Sequence, residues 1–324
     1  MRIAIALSAV GALVLTAGSG GAQAVCAGAA KPPQVRARVN LDALAWSIEA
    51  NGDAVWILTR RPAQVLRVDA QRLLVEGRTR LDVDSWDLAL GSGALWVAPN
   101  GADGRLRRVD TEARRVRATI GGGASILSNF VAAGVGRVWA GTDERVAHGR
   151  GVFEIDPSRN EVIGSLIPTA SDIQDIVVGF GSVWVADHSA GRVSRIDPSS
   201  RRVVASVRVA GAPHGLAVTR DSVWVALWHE SQLQEIDPLT NSVRGGAVRL
   251  GFPPLSMAAQ GKSLWVAEAA FNHSGPSSSL VRLDVRTRRV GRTLTVPGKI
   301  LDLVVVDRSL WVGTGSPSRV LRIC

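Results

Sequence analysis

The sequence predicts an all-β fold: a seven-bladed β-propeller of four-stranded antiparallel blades, with an N-terminal strand completing the last blade. Three observations carry this. A phrase of small residue, aliphatic, Trp and Val-Ala recurs seven times, at Trp56, Trp96, Trp139, Trp184, Trp224, Trp265 and Trp311. A second phrase follows each Trp: VLRVD to Asp69, LRRVD to Asp110, VFEID to Asp156, VSRID to Asp197, LQEID to Asp237, LVRLD to Asp284 and VLRIC to Cys324. No helical period appears after residue 24. The Trp spacings are 40, 43, 45, 40, 41 and 46 residues, and four-stranded units at that period are propeller blades.

Each repeat holds four short β-like runs. In the fourth they are Asp175–Val178, Ser182–Ala186, Arg192–Ile196 and Arg202–Val209. Gly179-Phe180-Gly181 and the run 187–191 join the first three. Asp197-Pro198 opens the last turn, as Asp156-Pro157 and Asp237-Pro238 do in other repeats, and Pro presets the φ such a turn needs.

The seventh repeat ends after its third run, at Cys324, while Val35–Val39 is a spare strand before the first blade. That strand is expected to pair beside Leu321, removing an open edge and coupling the chain ends. Cys324 stands where six other repeats have Asp, and Cys26 lies just before the closing strand. A Cys26–Cys324 disulfide is expected, worth about 5 kcal/mol on the chain-entropy estimate for so long a loop.

Composition sets outer limits. Of 324 residues, 46% are hydrophobic and 20% charged, so the chain can build a sizeable core. Two Cys exclude a disulfide-dense miniprotein and a multi-Cys zinc site. Residues 1–24 read as a signal peptide: Arg2, an apolar run at 4–17 and the A-x-A site at Ala22–Ala24. A lipid anchor at Cys26 is the alternative. The mature chain, 25–324, is expected to be one domain, monomeric, without a membrane span, and secreted, periplasmic or otherwise extracytoplasmic.

The stretch GxGSVWVAD…GRVSRIDPSSRRVVASVRVAGAPHGLAV, from Gly179 to Val218, resembles the repeats of YVTN-type, YncE-like secreted propellers. It is also similar to streptogramin B (virginiamycin B) lyase propellers. The resemblance covers residues 35–324 and is specific for architecture; a propeller scaffold does not name a reaction.

The seven repeat Trp are expected to pack between blades. Trp46, Trp86 and Trp228 fall outside that register. Trp46 and Trp86 sit at the mouth end of their inner strands, where other repeats have Asn129, Gln174, His214, Leu255 and Leu301. The next position reads Ser47, Asp87, Phe130, Asp175, Gly215, Ser256 and Asp302. Loops bearing Arg60, Asp143, Glu144, His188, Trp228, His229 and Glu268 open on the same face, and the longest insertions, 142–150 and 269–279, fall there. The expected ligand-binding set is Trp46, Trp86, Asp87, Asn129, Asp175, His188, His214, Trp228 and Asp302. The rings would stack on the ligand while the carboxylates and imidazoles orient polar groups. The competing expectation is that these strand-end residues satisfy loop backbone.

The likeness to the lyases implies catalysis as an alternative, with His214, His229 and Glu268 as candidates and Mg²⁺ as cofactor in that case alone; otherwise no cofactor is expected. That reading requires the three side chains to converge. No H-E-x-x-H, G-x-S-x-G or P-loop pattern is present, and there is no Tyr. Partners are open: an unidentified ligand or protein at the propeller face, or, given a formal charge of +10, nucleic acid or an anionic envelope polymer. Arg114, Arg115, Arg117, Arg201, Arg202, Arg208, Arg286, Arg288, Arg289 and Arg292 cluster on outer strands or the turns before them. Their expected role is to protect edges from strand pairing, with phosphate attraction the alternative.

Overall fold

A computed structural model describes residues 33–100, 103–121, 128–142, 149–269 and 275–324. The expected signal peptide, Cys26, Asp143 and Glu144 lie outside the described residues. Seven antiparallel sheets follow one another along the chain, and no helix occurs among the described residues. Blade four runs Ile173–Gly179, Ser182–Asp187, Arg192–Asp197 and Arg202–Arg208, from inner to outer strand. Blade five departs from the pattern. Its outer strand is broken into Ser242–Val243 and Val248–Arg249, both paired with Gln232–Asp237.

The ring closes as the sequence predicts. Strand Val35–Asn40 pairs antiparallel with Arg319–Ile323, matching Arg38 with Leu321 and Val39 with Val320. Gln34 and Cys324 exchange backbone hydrogen bonds, N–H to carbonyl in each direction, at 3.0 and 3.2 Å. Cys324 is thus held beside the chain segment that leads back to Cys26.

Hydrophobic burial occurs between blades rather than within them. Each of the seven core clusters joins the repeat Trp of one blade to the inner strands of the next: Trp96 with Val131 and Val138, Trp184 with Leu216 and Val223, Trp311 with Ile48 and Val55. The last of these crosses the closure. Trp96, Trp139 and Trp184 donate their indole N–H to the carbonyls of Gly91, Gly134 and Gly179. Those glycines must be small. A Cβ on Gly134 would lie 2.6 Å from Val178, and one on Gly179 would lie 2.7 Å from Val218.

The turn into the outer strand repeats a second device. Asp69, Asp110, Asp156, Asp197 and Asp237 each accept backbone N–H groups two or three residues on, and Asp284 does so from Thr287. Backbone donors and Arg117 hold the half-buried Asp110 carboxyl down to about 2. Four residues after each Asp the chain turns left-handed, at Leu73, Arg114, Asn160, Arg201, Asn241 and Arg288.

Those three Arg revise the edge-protection reading. Each reaches back into the preceding blade at a glycine. Arg201 binds Glu154 at 2.8 Å and the carbonyls of Ile163 and Ser165, and a Cβ on Gly164 would collide with its Nη1. Arg288 reaches Glu235 and the Arg244 carbonyl beside Gly245; Arg114 reaches the Glu76 carbonyl beside Gly77. The other junctions use third-strand Arg that lie over the repeat Trp. Arg108 and Arg195 stand 5.4 and 5.1 Å from Trp96 and Trp184 and reach forward to the carbonyls of Pro157 and Pro238. Arg115, Arg202, Arg208, Arg286, Arg289 and Arg292 do remain exposed on the rim.

Candidate functional site

The inner strands of all seven blades line a central bore, and its mouth opens into a cavity of about 570 Å³. That is within the range of small-molecule pockets. The wall includes Trp46, Trp86, Phe130, His214, Trp228 and Leu255 at the rim, with Glu49, Asp87, Asp175 and Asp302 further in. A second cleft, of about 720 Å³, lies between blades one and two on strand ends and turns, and its Arg67 and Arg114 are already paired. The cavity at the mouth therefore has the stronger claim as a site.

Two aromatic clusters face it. Trp46 and Trp86 meet edge to face with centroids 4.8 Å apart. The Arg60 guanidinium lies 4.5 Å from one ring and 5.0 Å from the other, held by Asp84 at 2.8 Å. On the opposite side of the ring, His214 meets Trp228 edge-on at 4.7 Å, and His229 stacks on Trp228 at 5.8 Å. His188 lies 6.1 Å from both His214 and His229. Its Nδ1 is 3.0 Å from the Pro213 carbonyl, which can only accept, so Nδ1 carries a proton and donates. Burial, helped by His188 and His229, pushes the His214 imidazole down to about 4, so it is neutral at ordinary pH.

The expected ligand-orienting carboxylates have a second occupation. Asp87 accepts from the N–H of Leu88 in its own blade and of Val131 in the next. Asp175 does the same with Ile176 and Leu216, and Asp302 with Leu303 and, across the closure, Ile48. Ser47 and Ser256 donate to Asp87 and Asp302 from the preceding blades. These aspartates latch inner strands together, accepting from strand amides rather than from the loop backbone of the competing expectation, while their side chains still line the cavity.

The sequence reading missed Glu49. It lies on the inner strand of blade one, where the other six blades carry Ala89, Ala132, Val177, Ala217, Ala258 and Val304. That contrast was the available signal. Burial, then the Asp302 and Asp87 carboxylates, pushes Glu49 up to about 8; the Ala50 and Leu90 amides oppose this without reversing it. Burial chiefly, with Asp302 adding in both cases, raises Asp87 and Asp175 to about 7, and burial also raises Asp302.

A carboxyl raised in the folded state binds its proton more tightly there than in the unfolded chain. Its stabilisation is complete below the unfolded value near 4 and is lost as pH climbs through the folded one. The protein is therefore expected to lose stability as pH rises from the unfolded values near 4 to the folded values of about 7 to 8. Glu49→Gln should flatten that decline, its Tm exceeding the wild type's at pH 9 by at least about 2–4 °C. Parallel pH profiles for the two proteins would overturn the assignment.

The remaining candidates are dispersed. Asn129 and His188 stand outside the cavity wall. Glu268 ends the second strand of blade six and accepts the Ser279 N–H at 2.7 Å, while His214 and His229 converge on Trp228 instead. No group of three His, Cys, Asp or Glu suited to a metal occurs among the described residues.

No family model matches the chain, and no curated protein matches its sequence. Solved structures match its shape. Virginiamycin B lyase from Staphylococcus aureus superposes with a TM-score of 0.74 at 14% identity, covering 90% of this chain and 99% of that one. Kuenenia stuttgartiensis hydrazine synthase gives 0.72 at 16%, covering 88% and 97%, and the Swd1 β-propeller domain of Myceliophteria thermophila gives 0.74 at 12%, covering 90% and 99%. Proteins this different in name share the architecture alone, so the chain is a seven-bladed β-propeller whose solved likenesses include the streptogramin B lyases.

Proposed function

We propose that the protein is a binding module that takes a small ligand with a flat apolar body at the channel mouth. The observation that carries this is the cavity of about 570 Å³ with an aromatic cluster on each side, Trp46–Trp86 and His214–Trp228. Rings held in fixed orientation by their neighbours offer π-faces and edges without ordering cost on binding. The Arg60–Asp84 pair fixes the first cluster, and the His188–Pro213 contact lies behind the second. Secretion and the expected Cys26–Cys324 disulfide fit a binding protein that works outside the cytoplasm.

Indole and tryptophol are suitable flat probes. Isothermal titration should detect both. Trp86→Ala should weaken them by about tenfold or more, the scale of one lost aromatic contact. Trp184→Phe, at a buried junction remote from the mouth, should leave their affinity unchanged. Failure of both probes to bind, or equal binding by Trp86→Ala, would overturn the reading. A solved Staphylococcus aureus virginiamycin B lyase of this fold carries quinupristin. Turnover of quinupristin by this protein would replace the binding-module reading with a lyase.

A further inference from the structure

The cavity wall is one-sided in charge. It contains Glu49, Asp87, Asp175 and Asp302 but no Lys or Arg, in a chain with a formal charge of +10. Three of the four carboxylates have a structural reason to be there, since each ties inner strands of neighbouring blades. Glu49 also accepts the amides of Ala50 and, in the next blade, Leu90, but the fold does not require an acid there. The fold needs only a small apolar side chain at its register, because six blades use Ala or Val. An ionisable group placed where the fold asks for a methyl group, and crowded by Asp87 and Asp302, costs stability unless something repays it.

We infer that the mouth binds an organic cation, a primary ammonium carried on a flat apolar body, with the ammonium against Glu49 and the ring between the aromatic clusters. This rests on the mouth being a binding site. An ammonium has three N–H donors and no acceptor, which suits a wall that offers carboxylate oxygens. The aromatic faces add cation–π attraction, and Trp46 and Trp86 already hold one cation, Arg60, in that way. An anion would meet four carboxyls and no compensating base.

Every titratable group facing Glu49 favours the same outcome. Asp302 of blade seven and Asp87 of blade two repel its charged form; Asp175 of blade four faces the same cavity, and His214 of blade five is neutral there. The cluster holds protons near neutrality, so an entering ammonium displaces them. Binding then releases protons and tightens as pH rises.

The test compares three probes on the full-length protein at pH 8: tryptamine, its neutral isostere tryptophol, and indole-3-acetate. Tryptamine is expected to bind about tenfold or more tighter than either, the scale of one partly desolvated ion pair. Titration at pH 7 in buffers of different ionisation heat should show proton release with tryptamine and none with tryptophol. Glu49→Gln should abolish the preference and reduce the proton release. If tryptophol or indole-3-acetate matches tryptamine, or if Glu49→Gln keeps the preference, the cation assignment fails while the mouth remains a binding site. If none of the three binds, both fail.

Discussion

A chain started at Leu41 is expected to lose the native monomer. It lacks strand Val35–Asn40, so Arg319–Ile323 becomes a bare edge of five residues. Val39 also leaves the cluster that packs Trp311 and Val320 against blade one. Every blade buries its apolar faces only on its neighbours, so opening one junction removes contacts on both sides of the gap. Removing this junction should cost at least several kcal/mol, comparable to a truncated core residue and a lost edge together. Size-exclusion chromatography should show association through the free edge, and urea should unfold the remaining monomer at a lower midpoint. Because this truncation also deletes Cys26, Cys324→Ser in the full chain separates the strand from the expected disulfide. If only the bond matters, both variants will match. A truncated monomer with an unshifted midpoint would overturn closure as the stabilising element. Mass spectrometry without reductant tests the Cys26–Cys324 bond directly.

The second large effect is expected at the junction of blades three and four. Arg201→Met leaves Glu154, whose side chain is only 6% exposed, with Arg137 as its remaining partner. It also strips donors from the Ile163 and Ser165 carbonyls. A cost of about 3–5 kcal/mol is expected, the scale for breaking a buried ion pair from one side. Gly164→Ala attacks the same contact from the opposite blade, because the new methyl would occupy the guanidinium's place at a left-handed backbone position. The two changes should be far from additive, since each removes what the other would remove. Urea unfolding of the single and double variants measures this. Additive costs would show that the notch and the guanidinium act independently.

The junction Arg show what a repeat reading can and cannot extract. Arg114, Arg201 and Arg288 stand 87 residues apart, and the glycines that receive them lie on alternate blades. The period of about 43 residues was plain in the sequence, but this longer one was hidden within it. It became visible once the turn of one blade was seen against the outer strand of another. In the sequence these Arg looked like edge charges. The fold makes them clamps, because their left-handed turn aims the side chain backwards onto the preceding blade.

The mouth divides in the same way. Trp46, Trp86 and Trp228 were legible as site residues because they break the repeat register, and the structure sets all three in the cavity wall. Asp87, Asp175 and Asp302 were legible as mouth residues but not as latches, since their partners are backbone amides about 40 residues ahead or across the ring closure. Glu49 broke the register too, at a position where apolar side chains alternate with the bore. Its significance depends on Asp87 and Asp302, which lie far from it in the chain and close to it in space.

The number of blades, their strand order and the closing strand were determined by the sequence itself. Repeat spacing and period-2 patterning are local, and seven copies leave one way to bury every sheet. Tertiary structure alone decided which charges meet across a junction and which acids share the bore. Those encounters depend on the angle between blades and on where each turn points, and electrostatic energy follows distance in space rather than distance along the chain.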